Sequence, residues 1–362
     1  MLFHQQSFEE RLKFFERNIC EYPFELTCDR IKNENSDQII QGLKELRKLF
    51  LTIYQSSELF KEEDPLESLH NVSNTMLFLY SVGVIGNLAE QGELYLSVEK
   101  KQLKAHYKTT PNYPMEQLKQ FGFYYEYFKK DKIVDSVNKC TQFTIMCKNL
   151  DHVLVALNYL LKNVQFEASA QDYARIQGLF YKLDYKSLIL NETMDREKID
   201  PLREDILSTA GLYQDYYTLV IKHLLEEYPL YTKIKIHEYF TPHWVLQFYH
   251  SKTNKYIFNI NVAADYVCLE IRLSVATVEA LANCKEELKG QLRDEIERFG
   301  CINCKNKCLE ANILGLNGVR YCTSYSEARL LMFYVTNEED VEAILKIMDL
   351  EIGRIKALCM RD

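Results

Sequence analysis

From Ser36 the chain shows a helical rhythm of apolar residues. Ile39, Ile40, Leu43, Leu46, Leu49, Phe50 and Ile53 recur every three to four positions, and Ser36-Asp37 supplies a helix start. Pro65 suits the first turn of the next helix. Met76 to Ala89 is almost wholly apolar over 14 residues, short of the roughly 20 that span a bilayer, and predicts a buried core helix. Ser97 predicts the cap of a short helix over 98–107, and Pro111–Pro114 introduce another over 115–121 that Gly122 ends. The rhythm then changes to that of strands, rich in aromatic and branched residues: Phe123–Phe128, Ile133-Val134 after a turn at Lys129–Lys132, and Gln142–Cys147. Asp151 predicts the cap of a helix through Leu154, Leu157 and Leu161.

Residues 166–229 return to helical spacing, with a strongly polar stretch at Asn191–Asp205 that reads as a linker or exposed turn. Six acids and three bases fall in it. Beyond residue 230, four segments have strand length and apolar content: Ile234–Phe240, His243–His250, Tyr256–Val262 and Val267–Leu273. Thr253-Asn254 makes a hairpin turn between the second and third. A helix over 278–299, a strand at Leu330–Val335 and a closing helix capped by Asn337 complete the unit. The expectation is an α+β protein with an antiparallel C-terminal sheet packed by helices. Its parts are a helical segment 1–65, an α+β module 66–165, a helical connector 166–229 and an α+β domain 230–362. In the second part, helices and then a β-hairpin come in the order of a winged helix.

Composition narrows the class. Apolar residues make up 47% and charged residues 27%, ordinary for a folded chain, while the 12 Gly and 7 Pro favour long helices. A net charge of −8 excludes a surface basic throughout and leaves room for a local basic patch. No export signal shows in Met1–Glu10, so the eleven cysteines read as reduced thiols of a cytoplasmic protein.

Four of those cysteines have ligand spacing: Cys301-x2-Cys304-x3-Cys308, then Cys322 after thirteen intervening residues. A short loop delivering several thiolates, closed by one from a neighbouring element, is how a tetrahedral zinc site is built. Gly300 allows a sharp exit from the preceding helix, and Lys305 and Lys307 would offset thiolate charge. A four-cysteine set also suits an iron–sulfur cluster, and Cys301 with Cys304 could form a redox thiol pair. The alternative is that these are small buried hydrophobes.

Between Glu99 and Lys139 stand nine lysines against five acids. Lys100, Lys101, Lys104 and Lys108 fall on one short predicted helix, and Lys129, Lys130 and Lys132 at a hairpin tip. In a winged helix, such a helix and wing meet DNA, phosphates first. The plain alternative is a solvated charged face. Nucleotide-binding glycine loops, nucleophile elbows and H-E-x-x-H are all missing from the sequence, so no catalytic residues are assigned.

His243-Trp244, the two aromatic strands, the helix after them and the Cys301–Cys322 segment with Gly315 and Gly318 resemble the C-terminal region of uncharacterised bacterial proteins of the domain-of-unknown-function kind. The resemblance covers about a third of the chain and implies no activity. The sequence thus leads to a non-enzymatic binding or regulatory protein with a structural metal, whose partner is nucleic acid or protein and not a membrane. The alternative is an enzyme or small-molecule sensor using a pocket at the aromatic sheet, lined by Tyr249, Tyr256 and Phe258.

Overall fold

The computed structural model describes residues 36–60, 65–150, 152–163, 203–237, 243–263, 267–284, 313–316, 319–322 and 330–359, with isolated positions besides. The chain is α+β, and the described residues form two five-stranded antiparallel sheets, each serving its own hydrophobic core.

The first core joins residues 39 to 161, so the boundary expected at residue 65 runs through shared packing. Helix α1 (Ser36–Gln55) buries Ile39, Leu43, Leu46, Phe50 and Ile53, the apolar stripe of its sequence. Helix α2 (Pro65–Ile85) ends four residues before the predicted limit at Ala89. An added side chain at Gly86 would meet the Val82 carbonyl at 2.7 Å. The freed carbonyls of Gly83 and Gly86 both accept from the buried Asn158 Nδ2 at 2.8 Å, on helix α5 (Val153–Asn163). Asn158→Leu would orphan two buried acceptors, and a loss of roughly 2–4 kcal/mol in chemical denaturation is expected. The cap predicted at Asp151 lies outside the described residues. Beside it the His152 backbone N–H donates to Glu45 Oε2 of α1 at 2.7 Å, so a carboxylate from another helix serves the start of α5.

The segment after α2 differs from the predicted helix over 98–107. Strands β1 (Asn87–Glu90) and β2 (Leu94–Glu99) form a hairpin turned at Gly92, whose φ of 79° is left-handed, and only then comes helix α3 (Lys100–His106). Leu96 and Val98 face the core where a strand's alternation puts them, and Ser97 faces away. Helix α4 (Asn112–Lys119) leads to β3 (Phe123–Lys129), β4 (Lys132–Val134) and β5 (Gln142–Cys147). Strand order is β1-β2-β5-β3-β4.

The second core begins at helix α6 (Arg203–Leu207), so the polar stretch Asn191–Asp205 is already helical in its last three residues. Helix α7 (Gln214–Glu227) precedes a meander of β6 (Leu230–His237), β7 (His243–His250), β8 (Tyr256–Val262) and β9 (Val267–Arg272). Next come helix α8 (Val275–Asn283), a hairpin of β10 (Ile313–Leu316) and β11 (Val319–Cys322), strand β12 (Leu330–Phe333) and helix α9 (Glu338–Cys359). Strand β12 returns beside β9, giving the order β12-β9-β8-β7-β6. Buried Tyr217 of α7 pins this sheet: its Oη donates to the Val267 carbonyl at 2.9 Å and accepts from the Val335 N–H at 3.1 Å. Asn337 caps α9 as expected, its Oδ1 accepting from Asp340 N at 2.9 Å.

Candidate nucleic-acid interface and the polar face of the second sheet

In the first unit, α3 and α4 are held against α2. Tyr107 donates to Asn74 Oδ1 at 2.8 Å and meets Phe78 edge-on at 5.5 Å; burial pushes its hydroxyl up to about 12. Leu103, Met115 and Leu118 are buried, which leaves Lys101, Lys104, Asn112, Glu116 and Lys119 exposed. Lys108 is exposed but lies beyond the end of α3 rather than on it. Lys100 is not free either: its ammonium donates to the Val137 and Asn138 carbonyls at 2.6 and 3.0 Å, closing the base of the β4–β5 connection. It acts as a fold anchor, although the sequence places it with the phosphate-facing lysines.

The β3–β4 turn presents Lys129, Lys130 and Lys132, all exposed. Lys130 and Asp131 both have positive φ, 50° and 61°, the backbone of a two-residue turn that usually calls on Asn-Gly. Two residues with side chains are held in a left-handed conformation at this tip, a mild strain that glycine would relieve. Lys119 forms an ion pair with Glu116 at 2.6 Å on the exposed side of α4. The charge on this side is balanced, so it does not stand out in the sequence, whereas α3 carries the visible excess.

Of the four clustered cysteines, Cys301, Cys304 and Cys308 lie outside the described residues. Cys322 ends β11, where its backbone pairs with Ile313. Cys140, Cys147, Cys268 and Cys284 are thiols rather than halves of disulfides.

The second sheet has one apolar face, with Trp244, Leu246, Phe248, Phe258, Ile260, Leu269 and Ile271 in the core. Phe258 stacks on Phe248 there at 4.3 Å, so it does not line an aromatic pocket with Tyr249 and Tyr256 as expected. The opposite face is polar yet largely buried: Asn259, Asn261 and Glu270 are less than 10% exposed. Asn259 Nδ2 donates to Glu270 Oε2 at 2.9 Å and to Asn261 Oδ1 at 3.3 Å, and Tyr256 Oη donates to Asn259 Oδ1 at 2.5 Å. Tyr256 reaches this face because the β7–β8 register skips Ile257, a bulge that shifts alternation by one residue. Desolvation raises the Glu270 carboxyl above its ordinary range, against the lowering effect of the Asn261 and Asn259 hydrogen bonds and the Arg272 charge. His243 stacks on His237 at 4.8 Å at one end of the sheet, while His250, the last residue of β7, has its Nδ1 3.1 Å from Thr253 Oγ1 of the following turn. The two strand-β7 histidines are therefore apart, as a seven-residue spacing dictates.

No family model matches the chain, and neither the curated proteins nor the solved structures contain a match. Among the described residues, no helix is long and apolar enough to cross a membrane.

Proposed function

We propose that residues 65–147 act as a winged-helix-like module that binds duplex nucleic acid, with α4 entering the major groove and the β3–β4 turn acting as the wing. The observation that carries this reading is connectivity. A helix, a strand hairpin, two helices and three strands succeed one another, and the strand before the helix pair lies beside the last strand, in the order β2-β5-β3. That arrangement supports α4 across the module and leaves its outer residues, Asn112, Glu116 and Lys119, open. Asn and Glu offer adenine and cytosine contacts, and lysines at the wing and on α3 supply phosphate contacts.

The test is fluorescence anisotropy of labelled duplexes against the full chain over a salt series. About five phosphate contacts give a log–log slope near −4.5, so affinity should fall roughly 10²–10³-fold between 50 and 200 mM salt. No binding at 50 mM salt would remove the reading.

We further propose that Cys301, Cys304, Cys308 and Cys322 hold one structural zinc. The β10–β11 register supports it. The backbone of Cys322 pairs with that of Ile313, only five residues beyond Cys308 along the chain. Five residues reach at most about 17 Å, which permits a common site. A closed four-thiolate zinc leaves no position for substrate water, which suits a supporting role in a non-enzymatic, cytoplasmic binding protein. Elemental analysis should give about one zinc per chain and a colourless protein. A brown protein with iron would mean a cluster instead, and neither metal would end the proposal.

A further inference from the structure

We propose that the polar face of the second sheet is a binding site for a small organic cation, an alkylammonium or guanidinium group, received by the Glu270 carboxylate beside Asn259, Asn261 and Tyr256. Glu270 lies on β9, an interior strand, and is 4% exposed. Among the described residues, the charge that acts on it is that of Arg272, two positions along the strand and itself exposed. A carboxylate removed from water without a closely paired cation is costly, and an apolar residue at such a position is often neutral or better for stability. The Asn259 and Asn261 amides offset part of that cost, and among the described residues no cation pairs closely with the charge. The neighbouring apolar cluster on this face is small, built from Ala263 and Cys268 with Met332 and Tyr334 against them.

The remaining features indicate the ligand's sign and shape. Asn259 donates from its amide to Glu270 and to Asn261, which orients the carboxylate, and the Ile257 bulge is what brings Tyr256 to the same place. Tyr256 and Tyr249 meet at 5.8 Å with rings inclined by 71°, forming an aromatic corner. That row already accepts one positive charge, since Lys233 Nζ lies 4.7 Å over the Tyr249 ring. A divalent metal fits less well, because calcium takes 6–8 oxygen ligands and magnesium a near-octahedral shell. One carboxylate flanked by two amides and a phenol supplies a single negative charge, matched to a monovalent cation with N–H donors.

Nucleic-acid binding rests on other residues, so either property can fail without the other. The full chain is titrated calorimetrically with agmatine and with n-butylammonium at constant ionic strength, with butyrate as the opposite-charge control. Saturable one-to-one binding of at least one cation, none of butyrate, and weakening of at least about tenfold in Glu270→Gln are expected, the last from loss of a charge-assisted hydrogen bond. Tyr256→Phe is the second variant, in case Glu270→Gln does not fold, and should weaken binding about threefold or more. Absence of binding by both cations, or affinity unchanged in the folded variants, overturns the proposal.

Discussion

Replacing Lys129, Lys130 and Lys132 together by alanine is expected to lower duplex affinity by more than about 100-fold at 0.1 M salt. The three ammonium groups stand exposed at one turn. Each phosphate neutralised releases about 0.9 counterion, worth about 1.2 kcal/mol at 0.1 M, and three sum to more than two decades in affinity. The salt slope should also flatten by about 2.7, which separates lost phosphate contacts from a damaged fold. Stability should move by no more than about 0.5 kcal/mol, since these are surface sites. Lys100→Ala is the contrasting variant. Its ammonium ties the Val137 and Asn138 carbonyls, so it should cost roughly 1–3 kcal/mol of stability while leaving the slope nearly unchanged.

Gly42→Ala is expected to destabilise the first unit by about 2–3 kcal/mol, and Gly353→Ala to stabilise the second by about 0.5–1 kcal/mol. Both glycines are helical, on α1 and α9, so alanine improves helix propensity equally at each. The surroundings decide the sign. A Cβ at Gly42 would stand 2.1 Å from the His152 carbonyl oxygen and 2.9 Å from the Ala156 Cβ, where α1 and α5 touch backbone to backbone. The two helices must part, and the Glu45 contact to the start of α5 goes with them. A Cβ at Gly353 meets nothing within 4 Å. Urea denaturation of both variants measures the pair, and a stable Gly42→Ala would mean that α1 and α5 do not pack this closely.

Elements with a strong period were legible in the sequence. The α1 stripe, the aromatic run of β3 and the ends of β5, β7 and β8 come from local spacing alone. The hairpin of β1 and β2 was not legible, because an apolar run continues from α2 across Gly86 into Leu88. A strand with only Leu96 and Val98 buried is also too short to show its alternation. The β10–β11 hairpin did carry a signal, Asn317-Gly318 between Leu316 and Val319, the dipeptide favoured in two-residue turns.

Site residues divide in the same way. An excess of lysine is visible in one dimension, but its use is not. The partners of Lys100, the Val137 and Asn138 carbonyls, lie 37 and 38 residues away along the chain, and the place of α4 depends on the β2-β5-β3 pairing, neither of which local spacing encodes. The Glu270 cluster depends on a skipped residue at Ile257, which no periodicity announces, and on pairing Asn259 with Glu270 across strands.

Whether residues 65–147 dock on a duplex is read most plainly by amide hydrogen exchange of the full chain, with and without saturating DNA at 50 mM salt. Slowed exchange should concentrate in residues 100–120 and 127–134, with the second sheet unchanged. Protection lying elsewhere, or none in those two segments while the duplex is bound, would rule out α4 and the β3–β4 turn as the contact surface.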